Sequence, residues 1–209
     1  MISSREALDR LREGNARFVA GVRREHPVEQ SARRMELASG QEPFATILGC
    51  SDSRVPAEIV FDQGLGDLFV IRIAGNIVAA SQIGSVEFAA ERFGTPLVVV
   101  LGHSQCGAIL ATVEALTRPP ATTAGHLDSI VNRVRPSVEA LLATELRHDP
   151  TALVQQAVRA NVRASANQLR HGSEILERRI QRDALLVVGA EYSLETGIVE
   201  FFDGVPTGG

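Results

Sequence analysis

Two short segments hold the side chains best suited to chemistry: Cys50-Ser51-Asp52-Ser53-Arg54 and His103-Ser104-Gln105-Cys106-Gly107. Thiolate sulfur and neutral imidazole nitrogen are the donors that zinc prefers in a tetrahedral shell. Structural zinc sites usually draw all four ligands from the protein. Here only three soft ligands stand out, Cys50, His103 and Cys106, and three ligands with one open position is the catalytic pattern. Taken singly, each residue has a bland reading: a lone cysteine after a strand is most often a small buried hydrophobe, and a lone histidine at a strand end is most often a satisfied polar group. His-x-x-Cys alone is a weak motif. His26, His126, His148 and His171 have no ligand-like spacing. The weight lies in the convergence of three donors.

Asp52 and Arg54 are spaced to meet across a tight loop. An exposed pair of this kind is worth little as a stabilising contact. Beside a metal it acquires a function. A free carboxylate would coordinate the ion and close the open position, and an arginine gripping it in a fork holds it off. The restrained carboxylate can then accept a hydrogen bond from a metal-bound hydroxide and orient its lone pair.

These residues need a scaffold that brings them to one edge. Ser3 and Glu6 have capping-box spacing, and Leu8, Leu11 and Phe18 recur near helical period, so a helix is expected up to Gly21. A second short helix is expected over 31–39. Apolar runs over 44–49, 67–73, 96–102 and 184–188 read as strands. Helices are expected over 57–62, 84–93 and 106–116, with Pro56 in the first turn of the earliest of these. Composition makes 117–125 a loop. A long helical region follows, with breaks expected near Pro136 and at Asp149-Pro150, and a turn and outer strand over 192–202. Strands alternating with helices imply a mostly parallel α/β sheet flanked by helices on both faces. Unbroken apolar runs, rather than alternating ones, fit strands buried on both sides. Such sheets bind ligands at the carboxyl ends of their strands. Cys50 and His103 each follow an expected strand, so two parallel strands would carry both to the same edge.

The 209-residue chain is 44% apolar and 22% charged with a formal net charge of −4, as expected of one soluble domain. The arginine pairs at 23–24, 33–34 and 178–179 sit among acids without interleaved aromatics, which argues against nucleic acid. No apolar run approaches the ~20 residues of a membrane span, and the amino-terminal residues are amphipathic rather than leader-like. A cytoplasmic, reducing setting is expected, in which the chain's 2 cysteines call for a role other than a disulfide.

The two segments together resemble the metal motifs of the β-class carbonic anhydrases of bacterial type. The likeness rests on Cys50-Ser-Asp-Ser-Arg54-Val-Pro-Ala-Glu58 and Gly102-His103-Ser-Gln-Cys106-Gly107-Ala108, about fifty residues apart. It extends to 13–19, 64–76 and 189–197, and so covers nearly the whole chain. The resemblance implies one domain over 1–209, with a helical arm over 1–40 that packs on a partner subunit and a zinc-binding core over 41–209. It implies one zinc ion per chain on Cys50, His103 and Cys106, with Asp52 as a fourth ligand only in a closed state. Asp52 and Arg54 match the family's dyad. Gln41 matches a substrate-binding glutamine, often supplied across the subunit interface. Phe69 matches a pocket aromatic, and Gly107 a glycine whose backbone adjoins the metal-bound species. The implied reaction is reversible hydration of carbon dioxide to bicarbonate and a proton by zinc-bound hydroxide, in a homodimer often paired into tetramers. The bicarbonate-inhibited members carry a tryptophan where this chain has Ile47, although Arg72 matches the arginine of that inhibitory site. Competing readings are a hydrolase of a related molecule such as carbon disulfide, a non-catalytic bicarbonate-responsive zinc protein, and a redox dithiol. His126 and Tyr192 are candidate proton relays only because they ionise.

Overall fold

The middle of the sheet is built from two strands with no exposed position, β1 (Ala45–Gly49) and β3 (Leu97–His103). They pair in parallel, with β2 (Leu68–Arg72) outside β1 and β4 (Leu186–Tyr192) outside β3. Strand β5 (Val199–Asp203) adds an antiparallel edge, giving the order β2-β1-β3-β4-β5. The computed structural model describes residues 2–22, 29–117 and 125–206; most of the expected 117–125 loop lies outside them. Among the described residues no helix is long and apolar enough to cross a membrane.

Side-chain alternation divides the core. Ile47, Val99, Leu101, Val188 and Tyr192 face α1 (Ser4–Val19), which contributes Ala7, Leu8 and Leu11. Leu48, Val98, Val100 and Val187 face α7 (Pro150–His171), which contributes Val162, Ala166 and Leu169. Helix α7 lies very close to the sheet: a Cβ on Gly102 would stand 2.5 Å from Val162 Cγ2. The remaining helices are α2 (Glu29–Leu37), α3 (Ala57–Val60), α4 (Ala80–Arg92), α5 (Gly107–Thr117), α6 (Asp128–Leu142) and α8 (Glu174–Gln181).

The expected capping box is present, with Glu6 N donating to Ser3 Oγ and Ser3 N to Glu6 Oε2. Helix α1 is seated on its own chain. Asn15 Nδ2 donates to Val60 O and Gly197 O, and its Oδ1 accepts from Val199 N. The segment that stands off the core is 32–36 of α2, where every side chain is exposed.

Several boundaries differ from the sequence expectation; the strand expected over 184–188 is β4, which starts at Leu186 and runs on to Tyr192. Pro136 does not break α6; burial of Val131, Val134 and Val138, at about 1.5–3 kcal/mol for each fully buried side chain, outweighs a proline's cost of about 3 kcal/mol within a helix. Helix α4 begins at Ala80 and takes in Gly84. His103 is the last residue of β3 rather than the first beyond it, because it pairs with Tyr192. Pro56 is the N-cap of α3 rather than part of its first turn.

Candidate metal centre

The chain leaves β1 outward in both directions, to β2 on one side and β3 on the other. This is a topological switch point, where the carboxyl ends of adjacent strands leave a crevice. Gly49 pairs with Leu101, so Cys50, just past β1, and His103, at the end of β3, emerge side by side. A turn with Gln105 in the left-handed region, φ 55°, then brings the chain back to set Cys106 directly before α5. The result is a buried trio: Cys50, His103 and Cys106 each offer one ligand atom, all within 4.8 Å of one another.

Local hydrogen bonding prepares each donor. His103 Nδ1 lies 2.8 Å from Ser104 O. A carbonyl only accepts, so Nδ1 carries the proton and the lone pair is on Nε2. That Nε2 is fully buried and has no hydrogen-bond partner, an arrangement that costs free energy unless a Lewis acid takes the lone pair. Ser104 is itself anchored. Its N–H donates to Tyr192 O at 3.0 Å, and its hydroxyl donates to Glu195 Oε2 at 2.8 Å and accepts from Leu194 N at 2.9 Å.

Cys50 and Cys106 are both free. Contact with the Cys106 thiol, then with His103 and the N–H of Gly75, holds the Cys50 thiol below its ordinary range. The same contact and burial push Cys106 up, against the N–H groups of Ala108 and Ile109, which favour its thiolate. Two adjacent thiols thus compete for one negative charge. A divalent cation between them reverses that competition, because coordination deprotonates a thiol outright. With the orphaned imidazole nitrogen and the S/N/S donor set, the residues fit zinc.

Asp52 stands beside the trio, its Oδ2 3.9 Å from His103 Nε2. Arg54 grips it in a fork, Nε to Oδ1 at 2.9 Å and Nη2 to Oδ2 at 2.7 Å, and the Arg54 N–H adds a bond to Oδ1 at 3.0 Å. That grip holds the Asp52 carboxyl well below the usual carboxylate range although burial pulls the other way. Arg72 bears on the same loop from β2, donating to Cys50 O at 3.1 Å and Asp52 O at 2.6 Å.

Five sequence-predicted site residues therefore come together: Cys50, Asp52, Arg54, His103 and Cys106. Gly107 joins them as the first residue of α5, next to Cys106. Gln41 and Phe69 do not join. Gln41 is exposed before the amino end of β1, and Phe69 pairs with Thr46 three positions before the end of β2, packed on Phe88 and Phe93. Tyr192 is buried against Phe18, and burial raises its hydroxyl pKa, so it belongs to the core. His126 is exposed in the turn before α6. Sequence reasoning missed Gly75, which donates to Cys50 Sγ at 3.3 Å, and Glu195 behind Ser104. Neither sits in a spacing that signals metal chemistry. A cleft of about 580 Å³ between α7 and the β4–β5 turn shares Ser104 and Gln105 with this region but none of the three donors.

Comparison with known proteins accords with this geometry. Residues 45–199 match the family model described as carbonic anhydrase. Over 187 residues the chain is 43% identical to carbonic anhydrase 2 of Mycobacterium tuberculosis (strain CDC 1551 / Oshkosh), covering 90% of this chain and 87% of that protein. The chain belongs to the carbonic anhydrase family. A second relative, the carbonic anhydrase of Mycolicibacterium smegmatis, is 41% identical over 190 residues, covering 91% of this chain and 89% of that one. The fold assigns the class: the β-carbonic anhydrase CafA of Aspergillus fumigatus superposes with a TM-score of 0.74 at 26% identity, over 97% of this chain and 92% of that one. As a β-class carbonic anhydrase of bacterial type, the chain is a zinc enzyme.

Proposed function

We propose that this protein catalyses the reversible hydration of carbon dioxide at a zinc ion held by Cys50, His103 and Cys106. The observation that carries the reading is three buried soft donors within 4.8 Å of one another beside a carboxylate restrained by arginine. Bound zinc would lower the pKa of its water from 15.7 toward about 7; two thiolate ligands formally cancel the ion's charge, so hydroxide would be supplied at mildly alkaline pH and activity rises across that range. The chain's residues do the rest. Asp52, kept ionised and turned by Arg54, accepts a hydrogen bond from the nucleophile and aims its lone pair at carbon dioxide. With zinc bound, the Arg54 fork would keep the Asp52 carboxylate off the ion, and a carboxylate released from the fork would be placed to ligate it in a closed state. Arg72 fixes the Cys50–Asp52 backbone, so the ligand and the carboxylate keep their relative position. Gly107 opens α5 beside Cys106 and presents backbone to the substrate.

The working unit in this reading is a homodimer, a unit that can pair into tetramers. Gln41 and Phe69 lie toward the amino ends of their strands, whereas the trio lies at the carboxyl ends, so they serve the site of a partner subunit. The exposed face of α2 and the rim of Phe69 and half-exposed Phe88 on edge strand β2 and helix α4 supply the surface for it. The arm over 1–40 and the core over 41–209 act as one domain, in the cytoplasm. The test is stopped-flow hydration of carbon dioxide across pH with zinc quantified on the same sample. Activity proportional to zinc, at about one ion per chain, is expected. A zinc-loaded protein without hydration activity would overturn the proposal.

A further inference from the structure

The turn 74–76 crosses over Cys50 and aims the Gly75 N–H at its sulfur, N to Sγ 3.3 Å. The turn cannot hold this pose alone. Gly75 is left-handed, with φ 70° and ψ 20°, and Asn76 follows at φ 42°. Both residues are buried, so their carbonyls need partners inside the protein. Helix α7 supplies both from one face, four residues apart. Asn161 Nδ2 donates to Gly75 O at 2.7 Å, and Ser165 Oγ donates to Asn76 O at 3.0 Å. Asn161 is 2% exposed and Ser165 5% exposed. These are polar side chains on the face of α7 that packs apolar residues against the sheet. Burying a polar group there is costly unless it has a defined partner, and the partner of each is this one turn.

The position of the turn is also sterically fixed. A Cβ on Gly75 would stand 2.9 Å from Ala108 Cβ and 3.6 Å from Val134 Cγ2. The turn is thus confined between α5 and α6, and α7 sets the tilt of its peptides. A hydrogen bond to a ligating sulfur withdraws electron density from it, and such outer partners tune a metal as well as orient its ligands.

We infer that Asn161 and Ser165 are positioning residues for the metal centre: through the turn 74–76 they hold the Gly75 N–H on Cys50 Sγ and thereby set how strongly that sulfur donates. This rests on the reading of Cys50 as a zinc ligand. The experiment uses the full chain with cobalt(II) in place of zinc and follows the thiolate-to-cobalt charge-transfer band, together with the rate at which a chelator removes zinc from the zinc form. The variants are Asn161→Leu, Ser165→Ala and Ser165→Thr. Without the hydrogen bond the sulfur is richer in electrons, so the band moves to lower energy in Asn161→Leu and Ser165→Ala. The same sulfur is more basic, so protons compete better for it and zinc is captured about tenfold faster in both, the low end of what loss of an outer partner costs a metal site. Ser165→Thr keeps the hydroxyl and restores the original band and rate.

A purely structural role would lower thermal stability and leave the band in place, which overturns the inference. Should Asn161→Leu fail to fold, Ser165→Ala against Ser165→Thr decides it by the same band. Absence of any thiolate band in the unaltered protein would overturn the zinc reading itself, a result distinct from an unmoved band in the variants.

Discussion

The fork from Arg54 to Asp52 makes a demanding prediction, because the structure gives the distance it has to maintain. Asp52 Oδ2 is 3.9 Å from His103 Nε2. In a tetrahedral zinc site with nitrogen and oxygen ligands at about 2.0–2.2 Å, two such ligand atoms lie roughly 3.4 Å apart. The carboxylate oxygen is therefore within about half an ångström of a coordinating separation from the imidazole nitrogen. Replacing Arg54 by Ala removes the two side-chain bonds and leaves the bond from the backbone N–H of residue 54 to Oδ1. That remaining bond keeps the carboxylate in the loop but does not stop it turning, so Asp52 closes on the metal.

The expected result is a protein that keeps about one zinc per chain and loses about 10- to 100-fold in hydration rate, the range found when an outer-shell partner is removed. Arg54→Lys restores only part of the rate, since an ammonium is a point charge and cannot form the planar fork. Zinc analysis and stopped-flow hydration on the same samples check both. Full activity in Arg54→Ala would refute the gating argument. Loss of zinc from that variant would refute it in another way, by making the arginine a support for the ligands.

Cys106→Ser and His103→Ala should lose zinc and activity together, as read by metal analysis and the hydration assay, since each deletes one of three donors. Gly75→Ala combines a left-handed backbone with a Cβ 2.9 Å from Ala108 and should destabilise by about 2 kcal/mol in denaturant unfolding. The depressed Asp52 pKa gives a signed expectation. Its contribution to stability is complete above the unfolded carboxyl value of about 3.9 and is lost only as pH falls through the lower folded value. Activity lost on mild acidification should therefore track zinc release by protonation of the cysteine ligands; a mid-acid loss with zinc still bound would contradict this. If the proposed dimer forms over the Phe69–Phe88 face, Phe88→Glu should dissociate it in sedimentation analysis and lower activity per zinc; an unchanged sedimentation coefficient and unchanged activity would count against that interface.

The donors, the dyad and the sheet edge that gathers them were legible because each depends on residue type and strand order. Unbroken apolar runs marked β1 and β3 as central, and a carboxyl-end crevice follows from any βαβ unit. The missing parts depend on distances that sequence spacing does not encode. Gly75 reaches Cys50 from 25 residues away and Asn161 reaches Gly75 from 86; neither stands in a metal-like motif. Pro136 was misread because local propensity was weighed without the tertiary burial of Val134 and Val138. His103 was placed one residue outside its strand because pairing with Tyr192 is a property of β4, not of the residues around His103.

Gln41 shows how fold and site bear on each other. It precedes β1, and the nearby Pro43 carbonyl is held by the Thr95 hydroxyl just before β3, so the segment is pinned at the amino edge of the sheet. Cys50 follows the last of the five residues of β1, a run of about 16 Å at ~3.3 Å per residue. No side-chain rotamer of glutamine spans that length along its own strand. If Gln41 binds substrate, the pocket is shared between subunits, and a two-fold axis must set the amino edge of one sheet against the carboxyl edge of the other. Such an axis is isologous, so each subunit gives and receives the same residues. The exposed Phe88 beside Phe69 lies on the edge strand and helix that such an axis would cover. Activity per zinc should then depend on protein concentration around the dimer dissociation constant, whereas zinc content, fixed by three donors of one chain, should not.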